Sequence, residues 1–298
     1  MTPPTNEVWT PLKVLRWAVP YLAERGVESP RLDVECLLAH VLQCDRLRVY
    51  LQYDRPLSKE ELAQLRELLT RRAAREPLAY LLGEREFFAL SFEVGPSVLI
   101  PRPESEALVE KAVAHLDRFP EREPWVLDLG TGSGCLAVAI AHERPLAKVW
   151  AVDLSPDALE VARRNAQRHG VQDRVFFRQG SWWEALETGD PAHFLVVVAN
   201  PPYIGEGEKG ELSPEILRFE PHSALFATKD GLSDYLAIQA GLSGHLAPEV
   251  GAAYLELNSN ISDKIMPIWQ GYRIEVDKDI HGLPRLLSLF LSDVLDRP

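Results

Sequence analysis

From Trp125 onward, short apolar runs alternate with amphipathic helical patterns, and no other feature limits the possible folds as much. The runs at 125–129, 149–152, 175–177, 194–199 and 252–257 have strand length, and 135–142, 156–169 and 232–246 carry helical spacing between them. Such alternation predicts a parallel sheet with helices on both faces. Two final runs, 272–276 and 286–291, are joined by a loop and suit an antiparallel hairpin.

The first 80 or so residues have a different texture. Val14, Trp17, Ala18, Tyr21 and Leu22 share a helical face with Gly26 as a stop. Val34, Leu37, Leu38, Val41 and Leu42 repeat the pattern, and so do Leu62, Leu65, Leu68 and Leu69. Ser58 with Glu61 three residues on is a capping-box signature. From Glu86 aromatic and alternating positions take over, and Gly95-Pro96 punctuates what reads as a short connecting hairpin. At 298 residues the chain exceeds the usual size of one domain. The expected organisation is a helical domain over 1–85, a hairpin linker over 86–100 and an α/β domain over 101–298.

Composition narrows the function. A formal charge of −12 argues against a nucleic-acid enzyme, whose affinity normally rests on a basic footprint. Cys36, Cys44 and Cys135 have neither metal-ligand spacing nor an even disulfide count, so they read as reduced thiols, and no metal site is expected. The Met1 end lacks a charged-then-apolar signal pattern, and no segment approaches 18 apolar residues. A soluble cytoplasmic protein without membrane contacts is expected.

The first strand run leads through Asp128-Leu129-Gly130-Thr131-Gly132-Ser133-Gly134 straight into a helix. Glycines let the backbone approach a ligand closely, and a strand-to-helix turn is where a nucleotide-like ligand sits in an open parallel sheet. The next strand ends at Asp153, about twenty residues on, where a carboxylate can accept both hydroxyls of a ribose. This pattern fits a dinucleotide as readily as another nucleoside. After the third strand, Gly180-Ser181-Trp182-Trp183 lies over the same crevice, so either tryptophan could pack on an adenine face or anchor the core.

The fourth strand ends in Asn200-Pro201-Pro202-Tyr203. Two prolines remove two backbone donors, leaving the Asn200 carboxamide oxygen and the Pro201 carbonyl as acceptors for one planar NH2 group. Tyr203 can cover the plane of that group. The pocket suits a glutamine amide or the exocyclic amine of a nucleic-acid base. Arg102 and Glu104 either line the site or form an ion pair.

Residues 76–285 resemble the bacterial protein-glutamine N5-methyltransferases, in particular the branch that modifies peptide-chain release factors. Glu76-Pro77-Leu78-Ala79-Tyr80-Leu81-Leu82-Gly83, Leu99-Ile100-Pro101-Arg102-Pro103-Glu104-Ser105-Glu106 and Asn200-Pro201-Pro202-Tyr203-Ile204 carry the resemblance. It implies a seven-stranded class I (Rossmann-like) methyltransferase domain of α/β type, preceded by a small helical bundle that docks the substrate protein. It implies S-adenosylmethionine as cofactor, held by Gly130, Thr131, Gly132, Ser133, Gly134, Asp153, Trp182 and Asn200. The implied substrate is the glutamine of the Gly-Gly-Gln motif of class I release factors, contacted by Asn200, Pro201, Pro202 and Tyr203, with Asn200 and Pro201 catalytic. Direct contact with nucleic acid is not expected. The sequence departs from the family pattern at Ser181, where an acid is usual, at Asn258 and at Leu283. A methyltransferase acting on a nucleic-acid base or on a ribosomal-protein glutamine is the alternative.

Overall fold

A computed structural model describes residues 8–291 of the chain, which divide into two compact units. Residues up to Gly83 together with Ser213–Phe219 form the smaller one, and Glu84–Leu212 with the residues from Glu220 onward form the larger.

Helices α1 (Pro11–Ala23), α2 (Pro30–Val41), α3 (Arg46–Leu51), α4 (Lys59–Ala73) and α5 (Leu78–Leu82) build the smaller unit. Their starts are chemically marked. Thr10 caps α1, Asp45 caps α3, and α4 opens with the expected capping box. There the Glu61 N–H donates to Ser58 Oγ at 3.1 Å and the Ser58 N–H to Glu61 Oε2 at 2.7 Å. Val14, Ala18 and Leu22 of α1 pack with Val34, Leu37, Leu38, Leu65 and Leu69 into one core. Trp17 departs from the expected face: it stays 38% exposed at its edge, stacked on Tyr21. The short helix α9 (Pro214–Phe219) joins this unit through Glu215, which accepts from Arg72 at 3.2 Å and from Arg75 at 2.6 Å. Arg72 also donates to the buried Asp33 at 2.6 Å.

The larger unit begins with a hairpin, β1 (Glu84–Phe87) and β2 (Leu90–Glu93), turned by Phe88 and Ala89 at positive φ. Phe87 and Phe92 are buried edge-to-face in the core of this unit, so the hairpin is part of it. Strands β3 (Trp125–Leu129), β4 (Lys148–Asp153), β5 (Val175–Gln179), β6 (Val196–Ala199), β7 (Ala252–Glu256), β8 (Tyr272–Lys278) and β9 (Pro284–Leu291) form one sheet in the order β5-β4-β3-β6-β7-β9-β8. β3 to β7 run parallel; β9 pairs antiparallel with β7 and, in the expected hairpin, with β8. This is the seven-stranded α/β arrangement anticipated from the sequence.

Alternate residues of each strand face opposite layers, the period-2 pattern of a sheet covered on both sides. Val126, Val149, Ala151, Val196 and Val198 pack under α6 (Glu106–Leu116), α7 (Cys135–Glu143) and α8 (Pro156–Arg168). Leu127, Leu129, Trp150, Val197 and Leu255 pack against Tyr235, Ile238 and Leu242 of a further helix, α10 (Ser233–His245), with Trp269 beside them. The run expected at 194–199 enters the sheet only at Val196. Phe194 is instead tied to the chain around α10, donating to His245 O at 2.7 Å and accepting from Ala247 N at 2.8 Å. Because β4 and β6 flank β3, the strand order reverses there, and the loops after β3 and β6 open toward one crevice.

Candidate active site

At the carboxyl ends of β3, β4, β5 and β6 lies a cavity of about 370 Å³, a size that suits one nucleoside-sized ligand. Gly130, Thr131, Gly132, Ser133, Asp153, Trp182, Asn200 and Pro202 line it, as do Ser105, Ser181 and Asp234. Of the residues singled out in the sequence, Gly134, Pro201 and Tyr203 are not among those that line it. Gly134 caps α7 at φ +79°, where a Cβ would sit 3.0 Å from that of Ala162 on α8, so packing as well as conformation demands glycine. Pro201 is buried and Tyr203 half-buried.

The glycine loop is held by strand β4. Gly130 N and Thr131 N both donate to Val152 O at 2.9 Å, and Gly132 N donates to Asp153 Oδ2 at 2.8 Å. Asp153 Oδ1 accepts from Ser155 N at 2.9 Å. Each carboxylate oxygen keeps a second lone pair, so Asp153 can still accept from a ligand. Burial pushes its pKa up, against the pull of those backbone N–H groups.

Beneath the loop, Asp128 is fully buried. Thr131 Oγ1 donates to its Oδ2 at 2.6 Å and Ala137 N at 3.2 Å, while Oδ1 has no hydrogen-bond partner. Burial, with a smaller push from Asp153, raises its pKa to about 7. The sequence offered Asp128 only as the first residue of the loop motif.

The two tryptophans separate. Trp182 lines the cavity, and its ring lies 3.6 Å from where a Gly130 Cβ would project. Its φ of +47° is a strained conformation for a bulky residue, of the kind that persists where surrounding structure enforces a useful orientation. Asp234, raised in pKa by burial, receives hydrogen bonds from Ser233 and Trp182. Trp183 turns away. Its indole stacks on His245 at 4.7 Å, and its Nε1–H is shared between Ala237 O and Ile238 O at 3.1 and 3.0 Å, fastening α10.

Asn200 follows β6 directly and donates through Nδ2 to Ser105 Oγ at 3.1 Å. Ser105 in turn donates to Glu256 Oε2 at the end of β7. Neither Ser105 nor Glu256 was assigned a role from the sequence. The available signal was a lone acid inside the apolar run 252–257. Arg102 lines the cavity and pairs with Glu220 at 2.6 Å; Glu220 also accepts from Ile100 N. Glu104 is exposed and absent from the lining; of the two readings left open, Arg102 lines the cavity, and its ion pair is with Glu220 and not with Glu104. Burial foremost, then the charge of Glu256, holds the Tyr203 phenol up at about 12.

The three positions that depart from the family pattern have separate settings. Ser181 lines the cavity, Asn258 accepts from Asn260 N at 2.9 Å in a short turn, and Leu283 is exposed between β8 and β9. Among the described residues, no cluster of His, Cys, Asp and Glu could hold a metal, and no helix is long and apolar enough to cross a membrane.

Residues 13–83 match the model of the PrmC N-terminal domain and residues 105–219 that of the methyltransferase small domain. The hMettl16 catalytic domain, solved in complex with MAT2A 3'UTR hairpin 6, superposes with a TM-score of 0.54 over 81% of this chain and 85% of that one. At 14% identity this likeness concerns the fold alone. The release factor glutamine methyltransferase of Geobacter sulfurreducens is 48% identical over 242 residues, 81% of this chain and 82% of that protein. That of Chlorobaculum tepidum is 41% identical over 293 residues, 96% of this chain and 98% of that protein. With relatives 48% and 41% identical matched over 82% and 98% of their length, the chain belongs to the release factor glutamine methyltransferase family.

Proposed function

We propose that this protein methylates the side-chain amide nitrogen of the glutamine in the Gly-Gly-Gln motif of class I peptide-chain release factors. S-adenosylmethionine is its cofactor. The observation that carries the reading is the convergence of Asn200 with the glycine loop, Asp153 and Trp182 on one cavity.

The lining fits the cofactor. Asp153 offers two lone pairs for ribose hydroxyls, Trp182 an aromatic face for adenine, and residues 130–133 close backbone approach. When bound, the cofactor supplies an electrophilic methyl group on a sulfonium centre.

An amide nitrogen is a weak nucleophile because its lone pair is delocalised into the carbonyl, so positioning is the main lever. Holding the nitrogen in line at near-attack distance lowers such barriers by about 7–11 kcal/mol in favourable cases. The Asn200 carboxamide oxygen and the Pro201 carbonyl accept the two amide hydrogens of the substrate. As the nitrogen loses conjugation and gains positive charge, both bonds strengthen, which is stabilisation specific to the transition state. Tyr203, protonated below about pH 12, covers the amide plane and is no base. A strong base is not required, because the cationic product sheds its proton readily.

The helical unit docks the substrate protein, in the cytoplasm. Nucleic acid is not contacted directly, in keeping with the net charge of −12. The test is to incubate the protein with methyl-labelled S-adenosylmethionine and a release factor, then map the label by mass spectrometry. Label on the glutamine of Gly-Gly-Gln is expected, and label only elsewhere overturns the reading. Asn200→Ala, at saturating cofactor, should turn over about 100- to 1,000-fold more slowly, by analogy with losing one oxyanion-hole donor.

A further inference from the structure

Asn200 is useful only if its carboxamide points the right way. Its oxygen and nitrogen have nearly the same shape, and a reversed amide would present NH2 to the substrate's NH2. Something must choose between the two orientations.

The chain of bonds behind Asn200 makes the choice. Glu256 and Ser105 are 6% and 3% exposed; Ser105 is part of the cavity wall, and Glu256 is not among the residues that line it. An ionised carboxylate only accepts, so the single hydroxyl hydrogen of Ser105 goes to Glu256 Oε2. Ser105 therefore presents a lone pair to Asn200, which must answer with Nδ2, at 3.1 Å. The carboxamide oxygen is then directed away from Ser105. Ser105 itself is placed by the turn Pro103–Ser105, its N–H donating to Arg102 O at 3.1 Å. Glu256 is placed by pairing with Leu286 of β9, while Tyr235 Oη donates to its backbone oxygen at 2.7 Å.

We propose that Ser105 and Glu256 are positioning residues that hold the Asn200 carboxamide oxygen toward the substrate amide, with Glu256 in its ionised form setting the direction of the chain. This rests on the reading of Asn200 given above.

A pH dependence follows. Burial, foremost, and then Glu104 raise Glu256 to about 7, against the Ser105 hydrogen bond and the positive charges of Arg102 and Arg285. Cys135, Tyr203 and Tyr235 also feel its charge, and all three are held well above their ordinary pKa and stay neutral near pH 7. Once protonated, Glu256 donates to Ser105, whose hydrogen turns to Asn200 and draws the carboxamide oxygen away from the substrate. Turnover should therefore fall on the acid side.

The test measures turnover at saturating S-adenosylmethionine and release factor, from pH 6 to 8, for wild type, Ser105→Ala, Ser105→Thr, Glu256→Gln and Asn200→Ala. Ser105→Ala should lose about tenfold in kcat, the worth of one oriented hydrogen bond, with the KM for cofactor held within about twofold. Ser105→Thr, which keeps the hydroxyl, should recover most of that loss. Wild-type turnover should fall about tenfold from pH 8 to pH 6, as one proton with a pKa near 7 requires. Glu256→Gln, which cannot ionise, should change less than about twofold over the same range. A wild-type rate in Ser105→Ala, or a wild-type acid limb in Glu256→Gln, beside a crippled Asn200→Ala enzyme, overturns the positioning chain and leaves the Asn200 reading standing. An active Asn200→Ala enzyme overturns both.

Discussion

Asp128 bears more on stability than on recognition. A buried carboxyl whose native pKa lies above its unfolded value stabilises the fold below the ordinary carboxylate range, and that contribution is lost as pH rises through the native value. For Asp128 the window runs from about 4 to about 7. Asp128→Asn keeps an oxygen for Thr131 and Ala137 but cannot ionise. In cofactor-free calorimetry, the melting temperature of the variant relative to wild type should climb between about pH 4 and about pH 7, then level off. Glu256 is the same in both proteins and cancels from the comparison. A difference that stays flat with pH would mean that Asp128 remains charged, or neutral, throughout. At this scale the sequence was legible where a side chain faces the ligand directly, as with Gly130, Asp153, Trp182 and Asn200. Ser105 and Glu256 escaped because their roles depend on a contact between residues 151 positions apart. No local pattern encodes that.

Elements were legible through their periods. Short apolar runs marked β3 to β7, and 3.6-residue spacing marked α1, α2, α4, α7, α8 and α10, with boundaries displaced by a residue or two where a ladder starts late, as at Val196. Periodicity cannot say which of two adjacent aromatics serves an element and which serves a cavity. Trp182 and Trp183 make that distinction testable. Trp183→Ala removes the bolt on α10 and should destabilise the protein by about 2–3 kcal/mol, below the ~3–5 of a fully buried aromatic because the side chain is half-exposed. Its affinity for S-adenosylhomocysteine should barely change. Trp182→Ala should do the reverse, weakening S-adenosylhomocysteine by at least about 1 kcal/mol through loss of the aromatic face, while the positive φ stays as unfavourable for alanine. Denaturant titration and isothermal calorimetry on the two variants read both quantities. Equal effects on affinity would show that the two rings share the site.

Across the whole molecule, the texture of the sequence changes near residue 85, and the main segment of the smaller unit runs to Gly83, where a left-handed glycine ends α5. What sequence could not reveal is that Ser213–Phe219 belongs to that unit. Seven residues are too few to show a period; Glu215 binds the segment there through Arg72 and Arg75, more than 130 residues earlier in the chain. The docking role proposed above for this unit calls for exposed apolar anchors. Leu47 and Leu51 on α3 are 71% and 80% exposed and stand one helical turn apart, with Tyr50 beside them at 37%. Apolar side chains grouped on one short helix, contributing little to the core, suit the anchors of a protein interface. Replacing both leucines by aspartate should leave the fold and the affinity for S-adenosylhomocysteine unchanged, because neither side chain is packed. The KM for an intact release factor should rise about tenfold or more, since interface anchors are commonly worth over about 1 kcal/mol each. A short peptide containing Gly-Gly-Gln, which lacks the rest of the factor's surface, should be methylated equally by both enzymes. If the double variant handles the intact factor as wild type does, docking lies on another face of the helical unit or outside it, and α3 owes its exposed leucines to something else.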